Sequence, residues 1–161
     1  MKKLKVMNIL ESDFSVYGRY TDLLHPKGTS IGEAPVRFFR DMMPLGQAEV
    51  LSLSVTEMEP MELKADVMEF HSRTGECFLT LDGDTYICVA PATPDSVIRA
   101  ENMEAYYVPA GTAVYLHPGV WHYAPFPVEN KTLHSLVMLP QRVYANDCIK
   151  YELSEPAELE P

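Results

Sequence analysis

Glu69-Phe70-His71 is followed by Glu76 and Gly83, and about forty residues later Gly111 is followed by His117-Pro118-Gly119-Val120-Trp121-His122. These two stretches gather the side chains that bind metals and move protons. On an extended strand, residues two apart share a face, so Glu69 and His71 look one way and Phe70 the other. Ser72-Arg73-Thr74-Gly75 is a polar, Gly-ending turn, and Glu76 then opens the next strand close to His71. His122 must arrive from a distant hairpin, which is how a β-barrel collects ligands. Carboxylate oxygen with imidazole nitrogen suits a divalent metal held by Glu69, His71, Glu76 and His122. Zinc, manganese, iron and nickel all accept that mixture, which does not choose among them. Tuned toward neutral pKa, the same groups can also act as general acid and base. Taken singly they are ordinary, since charged strand residues usually mark a solvated face and Pro-Gly-Val-Trp-His is a turn around a packed Trp. The joint spacing is what points to a pocket.

Positioning such a set requires several strands. Strand-like runs occur at Val36–Arg40, Glu49–Thr56, Val67–His71, Glu76–Leu81, Thr85–Ala90, Glu104–Val108, Ala113–His117 and Leu133–Leu139. Asp82-Gly83 between two of them signals a hairpin. Eight runs with turn residues between most of them predict an all-β sandwich or closed barrel with a few short helices. Ser12 to Gly18 reads as a capped helical turn with Ser12 as N-cap and Gly18 as its stop. His25 to Pro35 reads as a loop. The expected organisation is one β-barrel domain with an N-terminal arm over residues 1–151, then an acidic mobile tail over 152–161, where four Glu and two Pro leave few apolar residues.

Composition narrows the partners. With 161 residues, one domain is the natural count. The formal net charge is −10, from 13 Lys plus Arg against 23 Asp plus Glu. Nucleic-acid binding wants a basic face, and no cluster exists beyond Lys2, Lys3 and Lys5, so nucleic acid is excluded as a partner. No apolar run approaches the ~18 residues needed to span a membrane, and polar residues interrupt the first stretch before a signal-peptide core could form. Cys77, Cys88 and Cys148 form no CxxC pair and are odd in number, which reads as reduced thiols in a cytoplasm. The partner expected is a small molecule. If it is an anion, it needs a local cation, a metal or an Arg, to overcome the field of the whole protein.

The spacing Glu-x-His, four residues, Glu, six residues, Gly, and then Gly, five residues, His-x-Gly-x-x-His resembles the paired motifs of the cupin family, jelly-roll barrels (double-stranded β-helices) that usually hold a divalent metal. Glu69 stands where the first motif more often has His, His117 where the second has Pro, and Phe126 where it ends in Asn. From about Leu10 to Glu152 the chain is similar to the ureidoglycolate lyase branch, formerly called ureidoglycolate hydrolases, through Phe14-x-x-Tyr17-Gly18, Glu69-x-His71, Phe78, Gly83, His117-x-x-Val120-Trp121-His122 and Asn146-Asp147-Cys148. The resemblance implies cleavage of ureidoglycolate to glyoxylate and urea in purine degradation, by a homodimer. It implies a base that takes the hydroxyl proton and an acid that protonates the departing urea nitrogen, roles expected for His117, Glu69 and His122. Where such enzymes often carry an Arg, this chain has Val55, so Arg37 and Arg40 become the candidates for a carboxylate clamp. Trp121 and Tyr123 are expected at the substrate. A metal-dependent sugar isomerase or epimerase and a non-catalytic small-acid-binding cupin are the alternative readings.

Overall fold

The computed structural model describes residues 1–33, 35–46 and 49–161. Its strands are β1 (Lys2–Asn8), β2 (Gly18–Asp22), β3 (Ser30–Ile31), β4 (Phe38–Phe39), β5 (Leu51–Met58), β6 (Lys64–Phe70), β7 (Glu76–Thr80), β8 (Thr85–Ala90), β9 (Glu104–Val108), β10 (Thr112–Leu116), β11 (Trp121–His122), β12 (Phe126–Pro127), β13 (Leu133–Pro140) and β14 (Ile149–Glu160). The helical elements are α1 (Val143–Asn146) and two three-residue 3-10 turns. Six strands pair in the order β11-β6-β14-β1-β9-β8, and β11 pairs back onto β8, so the sheet closes into a ring with β12 appended to β8. A second sheet, β2-β10-β7-β13-β5, lies against it, and β3 and β4 form a small separate hairpin. The expected all-β barrel with a few short helices is what forms.

β8 shows why the sequence selects this layering. All six of its residues are buried, because each face meets a different core. Tyr86, Cys88 and Ala90 enter a cluster to which every ring strand contributes, with Met68, Phe70, Trp121, Leu4, Ala105 and Leu159 among its members. Ile87 and Val89 enter a second cluster shared with the other sheet, through Phe78, Val114, Leu116 and Val137. A strand buried on both faces reads as a continuous apolar run, as β8 does.

Three local expectations change. Asp82-Gly83 does not close a hairpin: β7 belongs to the five-stranded sheet and β8 to the ring, so the turn carries the chain from one layer to the other. The Asp82 carboxylate instead binds the backbone and ring of His134. Ser12 is not an N-cap; Asn8 caps the first 3-10 turn, and Ser12 ends it by donating its hydroxyl to the Asn8 carbonyl. The residues from 152 to 160 make up most of β14, paired with β6 on one side and β1 on the other. The backbone of the acidic stretch finds ladder partners on both edges, and Ala157 and Leu159, two apart, drop into the ring core. Burial of those two side chains outweighs the solvation of the glutamates around them.

Candidate functional site

A cavity of about 370 Å³ opens between the ring and the second sheet. β5, β7 and β13 supply one wall, with Ser52, Ser54, Thr56, Glu76, Phe78 and Val137; β6, β11 and β14 supply the other, with Glu69, His122 and Lys150. His71, one residue beyond β6, completes the floor. The register explains the meeting: His122 lies directly across from Glu69 between β11 and β6, and Lys150 of β14 lies across from Glu69 on its other side. Directly opposed residues on paired strands share a face.

The turn inside the second motif is tied to the first motif by backbone. Gly119 donates its N–H to the His71 carbonyl at 2.7 Å. Its φ is +82°, a region that side chains rarely adopt, and an added Cβ would sit 3.0 Å from Ala92 Cβ. Glycine at this point of His-x-Gly-x-x-His is therefore a requirement of the close approach.

Both imidazoles are oriented by carbonyls. His71 Nδ1 donates to the Asp147 carbonyl at 2.7 Å, and His122 Nδ1 to that of Val120 at 2.9 Å. Each ring thus turns Nε2 toward Glu76, whose Oε2 lies 3.1 Å from His71 and 3.3 Å from His122. The second contact lacks hydrogen-bond alignment, and His122 Nε2 is buried with no hydrogen-bond partner. A neutral ring in this setting aims a lone pair at a carboxylate, so the cluster calls for a positive species at its centre. A proton on the ring is one answer: burial depresses the His122 pKa, and Glu76 beside it more than reverses this, giving a net rise. Burial likewise works to raise the Glu76 pKa, and the two imidazoles overcome it and hold the carboxyl at about 2. A divalent cation is the other answer. Glu69, His71 and His122 each offer one atom within 4.8 Å of the others, and oriented imidazoles with an orphaned nitrogen are what a metal uses. The donor set fits such an ion.

Glu69 has a further environment. Cys148 donates its thiol to Glu69 Oε2 at 3.3 Å and the Lys150 ammonium lies 3.4 Å from the same oxygen. Burial, with the Glu69 carboxylate adding to it, pushes the Cys148 thiol up to about 11. Asp147, itself buried, accepts from the Ser72 and Arg73 backbone N–H groups and the Ser72 hydroxyl at 2.6–2.9 Å. It grips the turn between His71 and Glu76 with its carboxylate while its carbonyl orients the His71 ring.

Residues 1–160 match the family model described as ureidoglycolate lyase. The chain belongs to the ureidoglycolate lyase family. No curated protein sequence matches it. Among solved structures it is similar to oxalate decarboxylase from Bacillus subtilis at pH 4.6, at 14% identity and a TM-score of 0.45, and to a mutant of that enzyme, at 16% and 0.46. Each likeness covers 66% of this chain and 24% of the decarboxylase, so the chain spans about a quarter of the length of those proteins.

Against the ureidoglycolate lyase expectations, the structure brings Glu69, His71, Glu76, His122 and Tyr123 to the cavity and leaves four residues outside its lining. The His117 ring stacks edge-on against Tyr115 at 5.9 Å, and the His117 backbone N–H donates to the Tyr17 carbonyl. Trp121 is fully buried in the ring core, edge-on to Phe70 at 4.5 Å, with its indole N–H on Thr93 Oγ1. Arg37 flanks the small β3–β4 hairpin and is exposed; Arg40 pairs with Asp41 at 2.8 Å on the same segment. The alternation of β5 turns Val55 to the outer face, 60% exposed, between the lining residues Ser54 and Thr56. Sequence reasoning missed Arg142, Cys148 and Lys150, all of which line the cavity. Cys148 lay inside the quoted Asn146-Asp147-Cys148 motif, the one signal that pointed there.

Proposed function

We propose that the protein cleaves ureidoglycolate to glyoxylate and urea in this cavity. The observation that carries the reading is the convergence of Glu69, His71, Glu76 and His122 at one point in a chain of this family. The reaction consumes no water. The hydroxyl proton leaves the α-carbon's oxygen, the carbonyl forms as the carbon–nitrogen bond breaks, and the urea nitrogen takes a proton, so one proton moves from oxygen to nitrogen. Glu69 suits that transfer. Its Oε2 is occupied by Cys148 and Lys150, which leaves Oε1 to take the proton and return it to nitrogen. Glu69, His71 and His122, with Glu76 beside the two imidazoles, are the residues that would hold a divalent ion, zinc, manganese, iron or nickel. When bound, such an ion supplies Lewis acidity toward the oxygens of an α-hydroxy acid. Ser52, Ser54 and Thr56 line the β5 wall with hydroxyls of the kind that hydrogen-bond a urea group. His117, Trp121, Arg37 and Arg40 take no part in this account.

A homodimer is part of the proposal. β5 is a sheet edge whose outward residues Leu53 and Val55 are 72% and 60% exposed, an apolar edge that a second copy would cover. Incubating the protein with ureidoglycolate and following glyoxylate and urea tests the activity. Glu69→Gln should lower turnover by about 10²- to 10⁴-fold, the usual worth of a proton carrier. Wild-type turnover in a folded Glu69→Gln protein would remove the assignment.

A further inference from the structure

Two carboxylates, Glu69 and Glu76, line the cavity of a chain whose net charge is −10. An anionic substrate entering it meets Glu69 and Glu76 and needs a cation of its own. Among the described residues, two basic side chains other than histidine line the walls, Arg142 and Lys150. Lys150 is already engaged with Glu69 at 3.4 Å. Arg142 makes neither an ion pair nor a side-chain hydrogen bond with any described residue, although it borders the cavity.

Its backbone adds a second, independent observation. Arg142 has φ 64° and ψ 20°, the left-handed region, at the point where the chain leaves β13 and enters α1. Glycine or asparagine occupies such a position at least cost, and a long side chain held there is strained. The other described non-glycine residues with positive φ, Asp41 and Ser96, are not part of the cavity lining. The turn is pinned on both sides: Gln141 N–H donates to the Val50 carbonyl, the Arg142 carbonyl accepts from Ala145 and Asn146, and Asp147 anchors the far end to Ser72 and Arg73. Among the described residues, Arg142 is thus the lining cation without a partner; it is exposed to solvent and held in a strained backbone by an over-determined turn.

We propose that Arg142 binds the substrate's carboxylate and sets the preference of this cavity for α-hydroxy acids over their neutral analogues. The planar guanidinium offers two parallel N–H donors to the two carboxylate oxygens, a geometry that an ammonium cannot copy. It takes the clamp role expected of Arg37 or Arg40, which stand elsewhere. The proposal rests on the lyase reading for the identity of the anion alone.

The test compares glycolate with glycolamide, which differ in the carboxylate, by calorimetric titration of the protein as purified, alongside KM and kcat for ureidoglycolate. Wild type is expected to prefer glycolate by tenfold or more. Arg142→Met should abolish that preference and raise KM by about 10- to 100-fold, the span of a charge-assisted pair, with a smaller change in kcat. Arg142→Lys should recover part of it. Arg142→Gly should show the same loss of preference while melting about 2–4 °C higher, because the left-handed backbone is relieved; this separates binding from folding. Lys150→Met, which strips Glu69 of its ammonium, should act on kcat and leave the preference for glycolate. If wild type releases no glyoxylate from ureidoglycolate yet prefers glycolate through Arg142, the lyase reading falls and the carboxylate site stands. The proposal is overturned if wild type shows no preference, if Arg142→Met retains both preference and KM, or if Lys150→Met alone removes the preference.

Discussion

The His71–Glu76–His122 cluster makes a signed prediction about pH. With His122 raised above its usual 6.5 and Glu76 held near 2, their pairing contributes fully between the unfolded carboxylate value of 4.5 and the unfolded imidazole value. The contribution fades as pH falls through about 2 and, on the other side, as pH rises through the raised His122 value. Chelator-treated protein should therefore lose resistance to urea as pH rises above 6.5. Adding zinc or manganese should abolish that loss, since the ion takes the place of the proton; a urea midpoint independent of pH without metal would contradict the cluster's electrostatics. Asp147→Ala tests the orienting turn. It leaves two backbone donors and the Ser72 hydroxyl without their acceptor, which should cost about 1–3 kcal/mol in urea melts and weaken metal affinity by about 10- to 100-fold through His71. His117→Ala, by contrast, should keep turnover and bound metal and lower only the melting temperature, because its ring meets Tyr115 and not the cavity.

At the scale of elements, β2 rests on a glycine. A Cβ on Gly18 would stand 1.8 Å from the Tyr115 carbonyl oxygen, so Gly18→Ala should separate β2 from β10 at a cost of about 1–3 kcal/mol or more, visible as a lower urea midpoint. Local sequence pattern carried part of this architecture. Thr85–Ala90 and Glu104–Val108 were legible to the residue, since β-branched and aromatic runs bounded by turn residues match β8 and β9. β11 was not, because two residues carry no period, and their placement comes from pairing with β6 and β8. β14 was hidden by its charge, which reports solvation and not ladder partners. Asp82-Gly83 showed a turn without showing which sheet the next strand would join. The same division applies to the site. Glu69, His71, Glu76 and His122 could be read from spacing along two motifs, whereas Lys150 reaches Glu69 only through the β14–β6 register and Arg142 only through the turn after β13, neither of which leaves a spacing to find.

For the molecule as a whole, β5 reverses the usual rule: its hydroxyl-bearing residues Ser52, Ser54 and Thr56 face inward to the cavity and Leu51, Leu53 and Val55 face out. If that face joins two copies, light scattering should report twice 18.2 kDa, and Leu53→Glu should halve the mass without unfolding the chain; a wild-type monomer at micromolar concentration would count against the assembly. The position of β1 has a different kind of consequence. It lies parallel to β14 on one edge and to β9 on the other, with Lys2 across from Ala157 and Lys5 across from Glu160. The ring therefore cannot close during synthesis until the chain has been made through residue 160, and its first strand, paired with β9 on one edge, waits on the other for a partner some 150 positions away. So large a separation imposes a loop-closure delay on folding. Removing residues 152–161 should thus yield a chain that stays open and aggregates through the bare edges of β1 and β6, where trimming a loose appendage would have left a soluble barrel.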